Sequence, residues 1–160
     1  MKEVKIETTL EVYDKPSELP AEISDLMQQA IGARQRAYAP YSNFLVGAAL
    51  LLDNGEVLTG SNQENASYPS GLCAERTVIF YASSKFPDAK IRIMALTAGP
   101  EHQETLTPIP PCGACRQSIS EYEVKQDAPI AIYFMGTSGK VVKSESLANL
   151  LPLGFDRSFL

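Results

Sequence analysis

Three cysteines, one glutamate and one arginine carry the chemistry for which this sequence can be read. Cys73, Glu75 and Arg76 stand together in GLCAERT, and Cys112 and Cys115 stand three apart in PCGACRQ. Thiolates bind zinc well and favour tetrahedral geometry. Cys112 and Cys115 open a predicted helix, and their spacing puts them on one face of it. Cys73 opens a second predicted helix. If the two helices pack side by side, three sulfurs meet at one point. Structural zinc sites generally use four protein ligands, whereas three leave a position for water, which is the catalytic arrangement. His102 is the only histidine. It stands in the polar stretch PEHQET, without a partner at ligand-like spacing, and reads as a solvated loop residue.

Three thiolates on one dication leave a net negative charge, which weakens the ion as a Lewis acid. Two helix N-termini aimed at the site would offset it. Arg76, one turn after Cys73, can donate to a cysteine sulfur, and donors of this kind tune a metal. Glu75 sits too close to Cys73 to be a comfortable fourth ligand on that helix. Instead it can reach the water, take its proton and pass it to a leaving group. Three other readings stand beside this one. Cys73 alone would be a small buried residue. Cys-Gly-Ala-Cys alone would be a redox pair. A closed zinc site would serve only structure or assembly.

The surrounding elements must position these residues. VKIETTLEVY, residues 4–13, alternates as an initial strand would. DKPSELP reads as a linker or loop. A helix is expected from Pro20 to about Tyr38, with Ile23, Leu26, Met27, Ala30 and Ile31 on one face and Pro40 ending it. FLVGAALLL reads as a buried strand, DNG as a hairpin turn and EVLTGSN as the returning strand. CAERTVIFYASSK is a helix with Val78, Ile79 and Ala82 inward. IRIMALTA is a strand, CGACRQSISEYE a helix and PIAIYFMG a strand. A short strand at 140–143 and a short helix in ESLANLL close the pattern. The order α-β-β-α-β-α-β implies an α/β sandwich, and its hairpin makes the sheet mixed.

The chain has 160 residues, 44% of them hydrophobic, which suits one domain with a real core. Its net charge of −5 and its lack of a basic run disfavour a nucleic-acid partner. No signal-peptide core and no membrane-spanning run is present, so no membrane partner is expected. An odd number of cysteines without an export signal points to reduced thiols and a cytoplasmic location.

CAERT followed by PCGACRQ resembles the cytidine deaminases of the small type that holds zinc through three cysteines. YSNFLVGAALL, NQENASYPSGLCAERT and LLPLGF extend the likeness over residues 41–155. The resemblance implies a three-layer α/β/α sandwich with a mixed sheet, in a deaminase domain of residues 21–160 that follows an N-terminal extension of residues 1–20. It implies Zn²⁺ on Cys73, Cys112 and Cys115, and Glu75 as the general acid/base. Ala74 would meet the base O2 through its amide. Asn62 and Glu64 would bind sugar hydroxyls, and Phe44 would line the base pocket. Phe155 would reach into a neighbouring subunit's site, making a homotetramer with shared active sites. Pro110 departs from the family pattern, which more often has serine or threonine there; a contact through the backbone carbonyl survives such a change. The implied activity is hydrolytic deamination of cytidine and 2′-deoxycytidine in pyrimidine salvage. Alternatives are deamination of another aminopyrimidine nucleoside, or a non-catalytic zinc module used for assembly.

Overall fold

The computed structural model describes residues 1–160. Six strands form one sheet: β1 (Glu11–Tyr13), β2 (Phe44–Leu52), β3 (Val57–Ser61), β4 (Ile91–Pro100), β5 (Ala131–Met135) and β6 (Val141–Ser144). Three helices cover it: α1 (Ala21–Arg34), α2 (Ala74–Lys85) and α3 (Gly113–Gln126). The strand order is β1-β6-β5-β4-β2-β3. Only β4 and β5 pair in parallel, across the α3 crossover, so the sheet is mixed as expected.

Each face of the sheet carries its own core. Ile23, Leu26, Met27 and Ala30 of α1 pack on Ala49, Leu51, Ile93 and Ala95. Val78, Ile79 and Ala82 of α2, with Ile119 of α3, pack on Ala48, Leu50, Met94 and Leu96. Successive residues of β2 therefore serve opposite cores. That explains a strand written almost wholly in apolar letters, where a one-sided sheet would alternate. The result is the three-layer α/β/α sandwich.

Two glycines let helices approach the sheet. A Cβ on Gly47 would lie 2.1 Å from the Ala30 carbonyl oxygen and 2.4 Å from the Arg34 amide, both main-chain atoms of α1. A Cβ on Gly60 would lie 3.0 Å from the Ala74 carbonyl oxygen at the start of α2. Glu123 ties the far end of α3 to the entry into β5 and to the turn beyond β6. Its carboxylate accepts from the Ile130 amide at 2.7 Å, the Leu147 amide at 2.8 Å and the Ser146 hydroxyl at 2.9 Å.

Several boundaries differ from the sequence reading. The initial strand is only Glu11–Tyr13, paired with Val141–Lys143 of β6, a strand of four residues that most of the expected strand would overrun. Residues 15–19 include a single 3₁₀ turn at Pro16–Glu18, and Leu19 is buried in the α1 core rather than lying in a free linker. Helix α1 stops at Arg34, well before Pro40. There the Arg34 guanidinium donates to the Leu45, Gly99 and Pro100 carbonyls at 2.8–3.1 Å, and the chain turns toward β2. The closing helix is one 3₁₀ turn, Leu147–Asn149.

Gly47→Ala is expected to destabilise the fold by at least about 1–3 kcal/mol, since the clash is with backbone that cannot swing aside. The denaturant midpoint checks this, and a midpoint equal to the parent's would mean α1 is free to lift from the sheet.

Candidate metal centre and active site

Strand direction brings the reactive residues together. β3 and β4 are each antiparallel to the β2 that lies between them, so they run the same way. Their carboxyl ends open at one edge of the sheet. The segment after β3 delivers α2 and the segment after β4 delivers α3, both on the same face. Both helices therefore begin at that edge.

Cys73 and Cys112 occupy the N-cap positions of α2 and α3, and neither helix start has a side-chain cap. N-caps are ordinarily Ser, Thr, Asp or Asn, whose oxygens accept from the first amides. A sulfur there leaves those amides unpaired, with the helix dipole's positive end at the thiols. Cys115, one turn into α3, is fully buried. The three Sγ atoms lie within 4.8 Å of one another, and those of Cys73 and Cys112 are 3.9 Å apart. Tetrahedral zinc with Zn–S bonds of about 2.3 Å puts its sulfurs about 3.8 Å apart, so this donor set fits the ion.

The sulfurs are already polarised. The Cys73 thiol is pulled down to about 5, first by a hydrogen bond from Cys115 and then by Arg76 and Cys112, against the effect of burial. Cys115 is pushed up, as the donor in that bond and by burial. The Arg76 Nη2 donates to Cys73 Sγ at 4.0 Å. Beside them, Glu75 is only 5% exposed, and its Oε2 has no hydrogen-bond partner. Burial is the main cause that raises its pKa, and the Cys73 charge adds to it. A buried carboxyl oxygen without a partner costs stability unless something occupies the space in front of it.

That space is a cavity of about 660 Å³ whose lining includes Glu75, Cys73, Cys112, Phe44, Asn62 and Glu64. Ala74 is fully buried and is not among the lining residues; it contributes the first amide of α2. The Asn62 side chain accepts from the Val46 amide at 2.8 Å and donates to the Phe44 carbonyl at 2.8 Å, leaving one amide hydrogen uncommitted. Glu64 accepts from the Tyr41 amide at 2.9 Å and from the Ser42 amide and hydroxyl. The Ser42 hydroxyl is the first cause holding its carboxyl below the ordinary range. Pro110 lines the cavity. Phe155 does not line it; the ring is 58% exposed and stacks on Phe159 with centroids 5.7 Å apart. His102 is exposed beside Glu101, outside the sulfur cluster.

Two supporting residues escaped the sequence reading. Ser42 holds Glu64 and also accepts from the Phe44 amide at 3.0 Å, a local turn that a serine two residues before an aromatic could have signalled. Arg116 donates to the Pro111 carbonyl at 2.8 Å and the Leu150 carbonyl at 3.0 Å, fixing the approach to Cys112. Its second partner is distant in sequence, and no local signal marks it.

Comparison with known proteins agrees with this geometry. Residues 20–128 match the sequence model of the cytidine and deoxycytidylate deaminase zinc-binding region. A cytidine deaminase of Halalkalibacterium halodurans is 41% identical over 130 residues, covering 81% of this chain and 91% of that protein. One from Mycobacterium tuberculosis is 42% identical over 108 residues, covering 66% of this chain and 77% of that protein. The crystal structure of the Burkholderia pseudomallei cytidine deaminase superposes with a TM-score of 0.72 at 38% identity, covering 86% of this chain and all of that one.

Replacing one sulfur tests the centre directly. Cys112→Ala is expected to bind zinc at well under the parent's one ion per chain and to unfold at lower temperature, because metal binding is linked to folding. Elemental analysis of the purified variant reads the first, and full occupancy would remove Cys112 from the ligand set. The matched region spans Cys73 and Cys112–Cys115 and names the metal that their sulfurs fit, and the chain is accordingly a member of the cytidine and deoxycytidylate deaminase zinc-binding family.

Proposed function

We propose that this protein hydrolyses cytidine and 2′-deoxycytidine to uridine and 2′-deoxyuridine with release of ammonia. The observation that carries the reading is Glu75: a buried carboxyl with an unpartnered oxygen, lining the same cavity as two of three converging sulfurs. A zinc module serving assembly alone has no use for such a group.

Cys73, Cys112 and Cys115 would hold the zinc. When bound, the ion supplies Lewis acidity that lets water act as a nucleophile near neutral pH. The remaining steps fall to the chain. Glu75 takes the proton of the attacking water, holds it on its carboxyl and delivers it to the ring N3. It then takes the proton of the new C4 hydroxyl to the departing amino group, which leaves as ammonia while the C4 carbonyl forms. Its burial suits both duties, because a carboxyl out of water accepts a proton more readily than a solvated one. The Ala74 amide, free at the helix start, binds the base O2 and fixes the ring's orientation. Phe44 packs on the base, and the Pro110 carbonyl accepts from the exocyclic amine. The uncommitted Asn62 hydrogen and the Glu64 carboxylate bind the sugar hydroxyls.

Charge favours a free nucleoside over a polynucleotide. The only cation lining the cavity is Arg76, committed to Cys73, whereas the sugar end carries Glu64. A phosphate there would meet a carboxylate and no counter-charge.

Phe155 supports a shared site. Its ring is exposed and outside its own chain's cavity, while the Gln117 side chain holds its carbonyl at 2.7 Å on the outside of α3. In this reading the tail projects into a neighbour's cavity, and the working protein is a homotetramer. No helix is long and apolar enough to cross a membrane. Reduced thiols are needed for the centre, which suits a cytoplasmic enzyme.

Glu75→Ala is expected to keep its zinc and lose cytidine turnover by about 10²–10⁴-fold, the usual worth of a positioned acid/base group. The absorbance change on deamination reads this, and parental turnover would overturn the role. Phe155→Ala is expected to raise KM for cytidine more than it lowers kcat. An unchanged KM, or a monomer by light scattering, would remove the shared site.

A further inference from the structure

The N-terminal arm is written for more strand than the single chain can pair. Val4, Ile6, Thr8, Leu10 and Val12 alternate with Lys5, Glu7, Thr9 and Glu11, a nine-residue strand pattern. Only Glu11–Tyr13 pair, with β6. The rest extends past Ser144, where β6 ends, with no partner. Val4, Ile6, Leu10 and Val12 are 80%, 50%, 42% and 57% exposed, respectively. Val12 lies in register with Val142, which packs on the core beneath α2 and α3, so the apolar face of the arm prolongs that core's rim. The outer edge of β1 is also one of the two edges of the whole sheet, the other being β3. A bare edge strand with an apolar face is ready to pair with another strand.

We propose that this arm pairs, antiparallel and about a two-fold axis, with the same arm of a second copy of this chain. The sequence is self-complementary in one register. With Thr8 facing Thr8, Val4 stands opposite Val12, Ile6 opposite Leu10, Glu7 opposite Thr9 and Lys5 opposite Glu11. Every apolar residue then meets an apolar one, and the lysine meets a carboxylate instead of its own intrachain neighbour Glu7. Such cross-strand pairs are the unit of sheet stabilisation. A shift of one residue would set the apolar face against the charged one, which pins the register. The contact is isologous and closes on itself, as a two-fold interface must. It also extends the sheet of each copy through β1 into the partner's arm, covering the open edge in both. No residue of the arm lines the cavity that holds Glu75 and the sulfurs, so this contact is separate from the deaminase site.

Two measurements on the full-length zinc protein test the pairing. Thr8→Cys, treated with oxidised glutathione, is expected to form a disulfide-linked pair of chains, while Lys2→Cys, which faces residue 14 of the other copy, is not. Equal cross-linking of both variants, or of neither, overturns the register. In the unsubstituted protein every other amide of residues 4–10, those that face the partner arm, is expected to exchange about tenfold or more slower than an unstructured chain. Ile6→Asp is expected to abolish that protection and leave cytidine turnover unchanged. Unprotected amides, or protection without the Thr8→Cys cross-link, would show that the arm is free or folds on its own chain.

Discussion

The arrangement rests on the convergence of two helix N-termini on one point. β2 is shared by two strands that both oppose it, so β3 and β4 point the same way and release α2 and α3 at the same edge. Cysteines stand where capping oxygens ordinarily stand. An uncapped helix start costs about 1 kcal/mol, and here it occurs twice in adjacent helices. The unpaired amides and the Arg76 guanidinium provide positive potential around sulfur, and the clustered sulfurs offer that potential a zinc site. The local cost to each helix is offset by the metal, and folding and metal loading become linked.

Around that point the protein spends hydrogen bonds on holding cavity walls. The Asn62 side chain bridges the backbone of β2 on both sides of Leu45, and Ser42 joins Glu64 to the Phe44 amide. The residues assigned to the sugar and those assigned to the base are thus parts of one network. Arg34 and Arg116 also collect backbone carbonyls: Arg34 those at the paired ends of β2 and β4, Arg116 those of Pro111 and Leu150. Buried carbonyls need such partners, and a guanidinium can serve several at once. The centre is therefore held by structure distant from it in sequence, which suits a reaction that depends on position.

Both ends of the chain carry apolar residues that its own fold leaves uncovered. The tail exposes Phe155 and Phe159, and the arm exposes Val4 and Ile6. The two differ in kind: the tail carries stacked aromatics beside α3, whereas the arm carries an alternating, self-complementary pattern and only its last residues are strand. A chain of this size leaves such groups in water at a cost in solubility unless another copy covers them.

The sequence by itself displayed the candidate set, the element order and a buried β2. Those features are local: cysteine spacing, apolar runs and turn residues act over a few positions, and Cys73, Glu75, Arg76, Cys112 and Cys115 were all legible in this way. It overextended α1 toward Pro40 and β1 back to Val4, because an element's end is set by its partners. Arg34 finds its carbonyls in β2 and β4, and β6, four residues long, runs beside only the last part of the arm. The tertiary structure alone decided the strand order, the meeting of α2 with α3, and the roles of Ser42 and Arg116. Those depend on contacts between distant segments, chosen by how two apolar faces of one sheet are covered, and no local run of residues encodes that choice.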